Sequence, residues 1–165
     1  MEIILDMQEF RGPHNKFIMK EFASITIQNE INGVEEITPT LFQQPYHWKS
    51  QSKHYQRFNT WITRNHYGLS WDTGNIPYCD INKVINYTTH DKKYIYVKGV
   101  EKKLWLQAFI ASDKNIIDLE DFEFPTLKDN NIYDYCSHHY NLNKNMFVYY
   151  SCALKKCEIS KQNCL

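Results

Sequence analysis

Residues 92–119 read KKYIYVKGVEKKLWLQAFIASDKNIIDL, and this stretch decides the fold. Tyr94, Ile95, Tyr96 and Val97 make residues 92–99 strand-like, and Gly99 closes that strand. In residues 100–111, Leu104, Leu106, Ala108, Phe109 and Ile110 cluster after a charged first turn, as in a helix laid against a core. Residues 115–119, Asn-Ile-Ile-Asp-Leu, are strand-like again. Strand, helix and strand in so short a span form a crossover, which joins parallel strands and is almost always right-handed.

The chain upstream has a different character. Residues 2–10 form a short apolar strand ending in acids, and Gly12-Pro13 marks a turn within residues 11–15. Residues 16–28 carry enough β-branched and aromatic side chains to return as an antiparallel partner. Asn32-Gly33 is the next turn signal, after which residues 34–42 supply a third strand, interrupted at Pro39. From 43 to 78 the periodicity is poor and aromatic residues abound (Tyr46, Trp48, Tyr55, Phe58, Trp61, Tyr67, Trp71, Tyr78), so helices there are expected to be short. Asp80 caps a helix reaching about Tyr87, and residues 151–160 form a last helix. The order predicts an α/β fold with a mixed β-sheet: an antiparallel three-strand meander on one side, parallel strands on the other, and helices flanking both.

Length and composition agree with one domain over residues 1–165, with an aromatic-rich loop and helix insertion at about 43–80. Aromatic residues at 15% argue for a packed chain and against disorder. Nineteen Lys plus Arg balance nineteen Asp plus Glu, so no global field draws polyanions or membranes, and any nucleic-acid contact must come from a local patch. The first residues lack a basic leader and an apolar segment of signal-peptide length, and no apolar run approaches the roughly 20 residues that span a bilayer. Cysteines number five, an odd count that favours reduced thiols or a metal site over a disulfide framework. The expectation is an intracellular protein, in nucleus or cytoplasm, without membrane partners.

The order of elements and their short motifs resemble the ribonuclease H-like fold, in particular the DEDD 3′–5′ exonucleases. The matching segments are Leu5-Asp6-Met7-Gln8, residues 17–27, His66-Tyr67-Gly68-Leu69-Ser70, Tyr96-Val97-Lys98-Gly99 with Leu104-Trp105-Leu106, Ile117-Asp118-Leu119, and residues 151–157. The resemblance covers nearly the whole chain and rests on order and spacing. The chain is also similar to uncharacterised proteins of insect genomes, of virus or mobile-element association, that share L-D-x-Q-x-F, T-R-N-x-x-G-L-x-W and V-K-G-x-E-K-x-x-W-L.

In those exonucleases, carboxylates from the first strand, a middle helix and the last helix hold two divalent metals about 4 Å apart. Here Asp6 matches the first acid, but Gln8 stands at the second, and a neutral amide binds a hard cation less well than a carboxylate. Glu9 is the obvious substitute, yet strand alternation points it away from Asp6 unless the strand bulges there. At the helix acid the chain has Lys102 or Lys103. In the last helix Ser151 replaces the general-base histidine, and Lys156 replaces the final acid. Loss of metal-dependent cleavage is the expectation. The alternative is an active, Mg²⁺- or Mn²⁺-dependent 3′–5′ exonuclease using Asp6 and Glu9, or a rewired site that also gathers Glu101 and Asp118; strand-end acids more often cap turns.

Two other constellations stand out. Cys136, His139 and Cys152 could hold Zn²⁺, with His138 as a replacement ligand. Cys157 lies five residues beyond Cys152, which on one helix turns it about 140° away. Residues 60–71 mix aromatics with Arg64 and His66, a combination able to stack bases and pair with phosphate, although Trp61 and Trp71 are expected to fill the core. Lys98, Lys102 and Lys103 lie near the strand-end cleft and could contact phosphate in place of metals. Neither a G-x-S-x-G nucleophile signature nor a Gly-rich phosphate loop is present. The sequence thus reads as a nucleic-acid-binding or interaction module for single-stranded DNA, RNA or a protein partner, on a degenerate exonuclease fold with no cofactor expected. A zinc-stabilised protein-interaction module is the remaining reading.

Overall fold

A computed structural model describes residues 1–27 and 39–122 together with Ala153, Lys156, Cys157 and Ser160. Strands β1 (Glu2–Gly12), β2 (Lys16–Ile27) and β3 (Thr40–Leu41) precede helices α1 (Lys53–Ile62) and α2 (Ile81–Thr89). Strand β4 (Tyr94–Val97), helix α3 (Val100–Gln107) and strand β5 (Asn115–Asp118) follow. The five strands form one mixed sheet in the order β3-β2-β1-β4-β5. The first three are antiparallel neighbours, whereas β4 pairs parallel with both β1 and β5. The meander and the crossover expected from the sequence are therefore both present. Of the third strand read at 34–42, residues 34–38 lie outside the described residues.

The two sheet faces bury different things. On one, Ile3, Leu5 and Met7 of β1 pack with Phe17, Met19 and Phe22 of β2 and Ile95 and Val97 of β4, under Ile81 and Ile85 of α2 and Leu106 of α3. The opposite face is divided. Ile4 and Ala23 pack against Ala153 and Cys157, which are helical residues, while Phe10 and Ile18 pack against Ile62 and Trp71. Between these two apolar clusters lie Asp6, Gln8 and Glu21, all buried. A polar belt in the middle of a sheet face is costly unless every group finds a partner, so this belt is where function or a specific network is to be sought.

Strand β2 changes parity at Lys20. The pairing jumps from Gln8↔Glu21 to Glu9↔Met19, leaving Lys20 as the extra residue of a bulge. That bulge explains why Met19 and Phe22, three apart, share one face.

Helix α1 is held across the far end of β1 by one side chain. Ser52 caps its start, accepting from the Tyr55 amide at 3.5 Å, and Gly68 closes the wider turn Thr63–Tyr67 in the left-handed region with φ 68°. Asn59, fully buried, imitates a neighbouring strand: its Oδ1 accepts from the Arg11 amide at 2.9 Å and its Nδ2 donates to the Arg11 carbonyl at 2.8 Å. Nδ2 also donates to Gln51 Oε1 at 2.8 Å. Asn59→Ala strands those buried groups and is expected to lower stability by about 2 kcal/mol in urea unfolding; an unchanged midpoint would mean that water replaces the amide.

Candidate functional site

Strand β1 pairs with β4 only as far as Ile4↔Tyr96, so its second half runs beyond the carboxyl end of β4. In open α/β sheets that end is where ligand sites form. Asp6 sits there, 4% exposed. The polypeptide leaves β4 through Gly99, at φ 108°, and enters α3 at once, which brings Lys102 over the sheet edge. Lys102 Nζ donates to Asp6 Oδ1, and Lys156 Nζ lies 3.7 Å from Asp6 Oδ2. Burial opposes the charge on Lys102, but attraction and hydrogen bonding to Asp6, with help from Glu9, outweigh it and lift its pKa above the ordinary lysine value. Both oxygens of the first-strand carboxylate thus face ammonium groups. A divalent cation beside Asp6 would meet two like charges at contact range, so these residues do not fit the metal pair of a DEDD site.

Glu9 does belong to the same cluster. The bulge lies in β2, so β1 keeps its alternation and Glu9 stays on the face opposite Asp6 and Phe10; it joins the cluster because it lies past the point where β4 flanks β1, where the charges of Lys102, Lys156 and Asp6 still reach it. Its carboxylate accepts from the Tyr67 hydroxyl and lies 3.4 Å from Arg11 Nη2. Burial raises its pKa, against the pull of Lys102, Arg11 and Lys156. Burial likewise pushes the Tyr67 phenol upward, assisted by the charges of Glu9 and Asp6, so the phenol is held as a neutral donor. Arg11 and Tyr67 are members of this cluster that sequence reasoning did not select: Tyr67 reaches Glu9 from a distant part of the chain, and Arg11, only two residues from Glu9, is fixed there by distant Glu101.

The other acids are engaged elsewhere. Arg11 grips Glu101 with both guanidinium prongs, Nη2 to Oε2 at 2.8 Å, and that hydrogen bond holds Glu101 below the usual carboxylate range. Asp118, a candidate catalytic acid, is a turn clamp: its Oδ1 accepts from the Gly99 amide at 2.9 Å and the Glu120 amide at 3.0 Å. By fixing Gly99 it positions α3, and hence Lys102. Lys103 lies 3.8 Å from Asp121. Lys98 lines a cavity of about 170 Å³ together with Asp6, Lys102, Lys156, Glu120 and Ser160. Lys102 and Lys103, read as phosphate-binding candidates, are thus ion-paired to carboxylates.

Arg64 and His66 are on another surface, in and beside the turn after α1. Trp71 is core, 6% exposed and packed on Phe10 at 5.5 Å between ring centres. Trp61, expected to be buried with it, is instead 52% exposed, because the inward stripe of α1 is taken by Asn59 and Ile62. Arg64 lines two neighbouring grooves of about 400 and 480 Å³.

The zinc candidates Cys136, His139 and Cys152 lie outside the described residues. Cys157 is fully buried, its thiol 3.6 Å from the Ala23 carbonyl, and burial pushes its pKa well up. It behaves as a packing side chain. Among the described residues no three His, Cys, Asp or Glu side chains are grouped to hold a metal ion, and no helix is long and apolar enough to cross a membrane. Comparison with protein-family models, with curated proteins and with solved structures finds no match to this chain.

Proposed function

We propose that this protein is a nucleic-acid-binding module on a ribonuclease H-like fold that has lost metal-dependent phosphodiester cleavage. The strand order β3-β2-β1-β4-β5, with three antiparallel strands followed by two parallel ones, supports that fold assignment. The observation that carries the functional reading is the placement of Lys102 and Lys156 on the two oxygens of Asp6. Where a nuclease of this architecture needs concentrated negative charge, this chain has cations, which oppose metal and favour an anionic ligand.

The test is a paired assay on the purified chain. A labelled single-stranded oligonucleotide is incubated with Mg²⁺ or Mn²⁺ and followed by gel, while binding of the same strand is followed by anisotropy at low salt. Binding without shortening is the expected result. Metal-dependent shortening that disappears in Asp6→Ala overturns the reading in favour of an exonuclease using Asp6 and Glu9.

A further inference from the structure

Charge balances over the whole chain, but not locally. Between Glu36 and Asp72 there is no acid, while Lys49, Lys53, Arg57 and Arg64 fall inside that interval with His47, His54 and His66. The structure gathers part of this segment onto one surface. On α1 and its following turn, Lys53, Arg57, Trp61 and Arg64 succeed one another at spacings of four, four and three residues, which places them on a single outward stripe. The inward stripe, Asn59 and Ile62, is buried.

The outward stripe is open, and the acid that lines the adjoining groove, Asp72, accepts a hydrogen bond from Ser70 at 2.7 Å. Among the described residues no carboxylate pairs with Lys53, Arg57 or Arg64, whereas Arg11, Lys83, Lys102 and Lys103 all have acidic partners. Phe58 and Trp61 are 41% and 52% exposed. The two grooves adjoin the stripe and share Trp48, Thr60 and Arg64 among their lining residues. Trp61 is not a loose side chain: His66 meets its ring edge-on at 4.7 Å.

We infer that this face of α1 binds single-stranded nucleic acid, with bases stacked on Trp61 and in the groove beside Trp48, and phosphates met by Lys53, Arg57 and Arg64. The inference rests on the nucleic-acid reading above and moves the contact surface from the strand-end cleft to α1. Charge complementarity selects a polyanion. Exposed, oriented aromatic rings select one with free base faces, because stacking needs bases that are not already paired in a duplex.

The test uses fluorescein-labelled oligothymidylate and oligouridylate with the whole chain, read by anisotropy over a salt series, the two strands separating DNA from RNA preference. Trp61→Ala is expected to weaken binding about tenfold. Arg57→Gln with Arg64→Gln is expected to reduce the slope of log affinity against log salt by about 1.4, the loss of two single-strand phosphate contacts. Lys83→Ala, which lies off this face, is expected to change neither. All these positions are solvent-facing, and a thermal melt verifies that each variant is folded. If the wild-type chain binds both strands but the α1 variants bind equally well, or if Lys98→Ala alone weakens binding, the α1 assignment is wrong while the nucleic-acid reading stands. If the wild type binds neither strand at low salt, both fall. Equal affinity for a duplex would overturn the stacking, and equal affinity for polyglutamate would make the face a site for acidic protein.

Discussion

Replacing Lys20 with methionine is expected to destabilise the protein by about 3 kcal/mol at pH 7, and the deficit is expected to widen above pH 8. Lys20 is the extra residue of the β2 bulge and is 2% exposed. Its ammonium donates to three carbonyls: Phe42 at 2.9 Å, Trp71 at 2.8 Å, and Thr73. It thereby fastens the residues after β3 and the loop after Trp71 to the sheet. The two segments are already in close approach at Gly74, where a Cβ would lie 2.3 Å from the Phe42 oxygen and φ is +126°. Methionine fills similar volume but leaves three carbonyls without a donor, at about 1–3 kcal/mol each. Against this, burial lowers the Lys20 pKa from 10.5 to about 8, with Asp72 opposing weakly, so removing the charged group at pH 7 relieves about 3 kcal/mol. Three orphaned carbonyls outweigh one relieved charge.

The pH dependence follows from the direction of that shift. Between about 8 and 10.5 the folded protein holds Lys20 neutral while the unfolded chain keeps its proton, so the unfolded state binds more protons and stability rises with pH. This contribution is present above 10.5 and lost as the pH falls through 8. Methionine does not titrate, so the difference between wild type and variant isolates it. Urea unfolding of both at pH 7, 9 and 10 is the measurement; a difference that stays flat or shrinks across the series would show that Lys20 keeps an ordinary pKa.

The same bulge shows where sequence reading succeeds and where it stops. The meander and the crossover were legible because β1, β2, β4, α3 and β5 each carry a local pattern, and the connection lengths dictate parallel or antiparallel pairing. The parity change at Lys20 leaves no such signal, since β2 is apolar on both sides of it. Short helices are expected within 43–78, but the sequence does not place α1, because a buried amide, Asn59, stands on its inward stripe where periodicity expects an apolar residue; its role depends on Arg11, distant in the chain. That misplacement carried Trp61 into the expected core. At the strand-end site, the resemblance to the DEDD exonucleases implies cations at Lys102 and Lys156 where acids would be expected, and both ammonium groups face Asp6. That Asp118 would clamp Gly99 and that Arg11 would engage Glu101 are long-range consequences of the fold. The acid-free interval around α1 is legible in the sequence as a local excess of positive charge that the overall balance conceals.

Asp6→Asn carries the other large expected effect, and its sign separates two chemistries. In a cluster of carboxylates built for metal, like charges repel when the metal is absent, and neutralising one of them stabilises the fold. Here Asp6 is the carboxylate that Lys102 and Lys156 both face, with side chains 17% and 22% exposed beside its own 6%. Removing one partner of a buried pair leaves an uncompensated charge and costs about 3–5 kcal/mol. Asparagine retains an acceptor for Lys102, and Glu9 still attracts that ammonium, so the lower end, about 3 kcal/mol, is expected. Lys102→Met combined with Asp6→Asn is expected to recover part of the loss, because the ammonium left stranded is then absent, giving a coupling of about 1–3 kcal/mol in a double-mutant cycle. Unfolding in chelator-treated buffer reads Asp6→Asn, Lys102→Met and the double variant. A chain made more stable by Asp6→Asn would mean that this carboxylate stands among acids, and that the ion pair between Asp6 and Lys102 does not exist in solution.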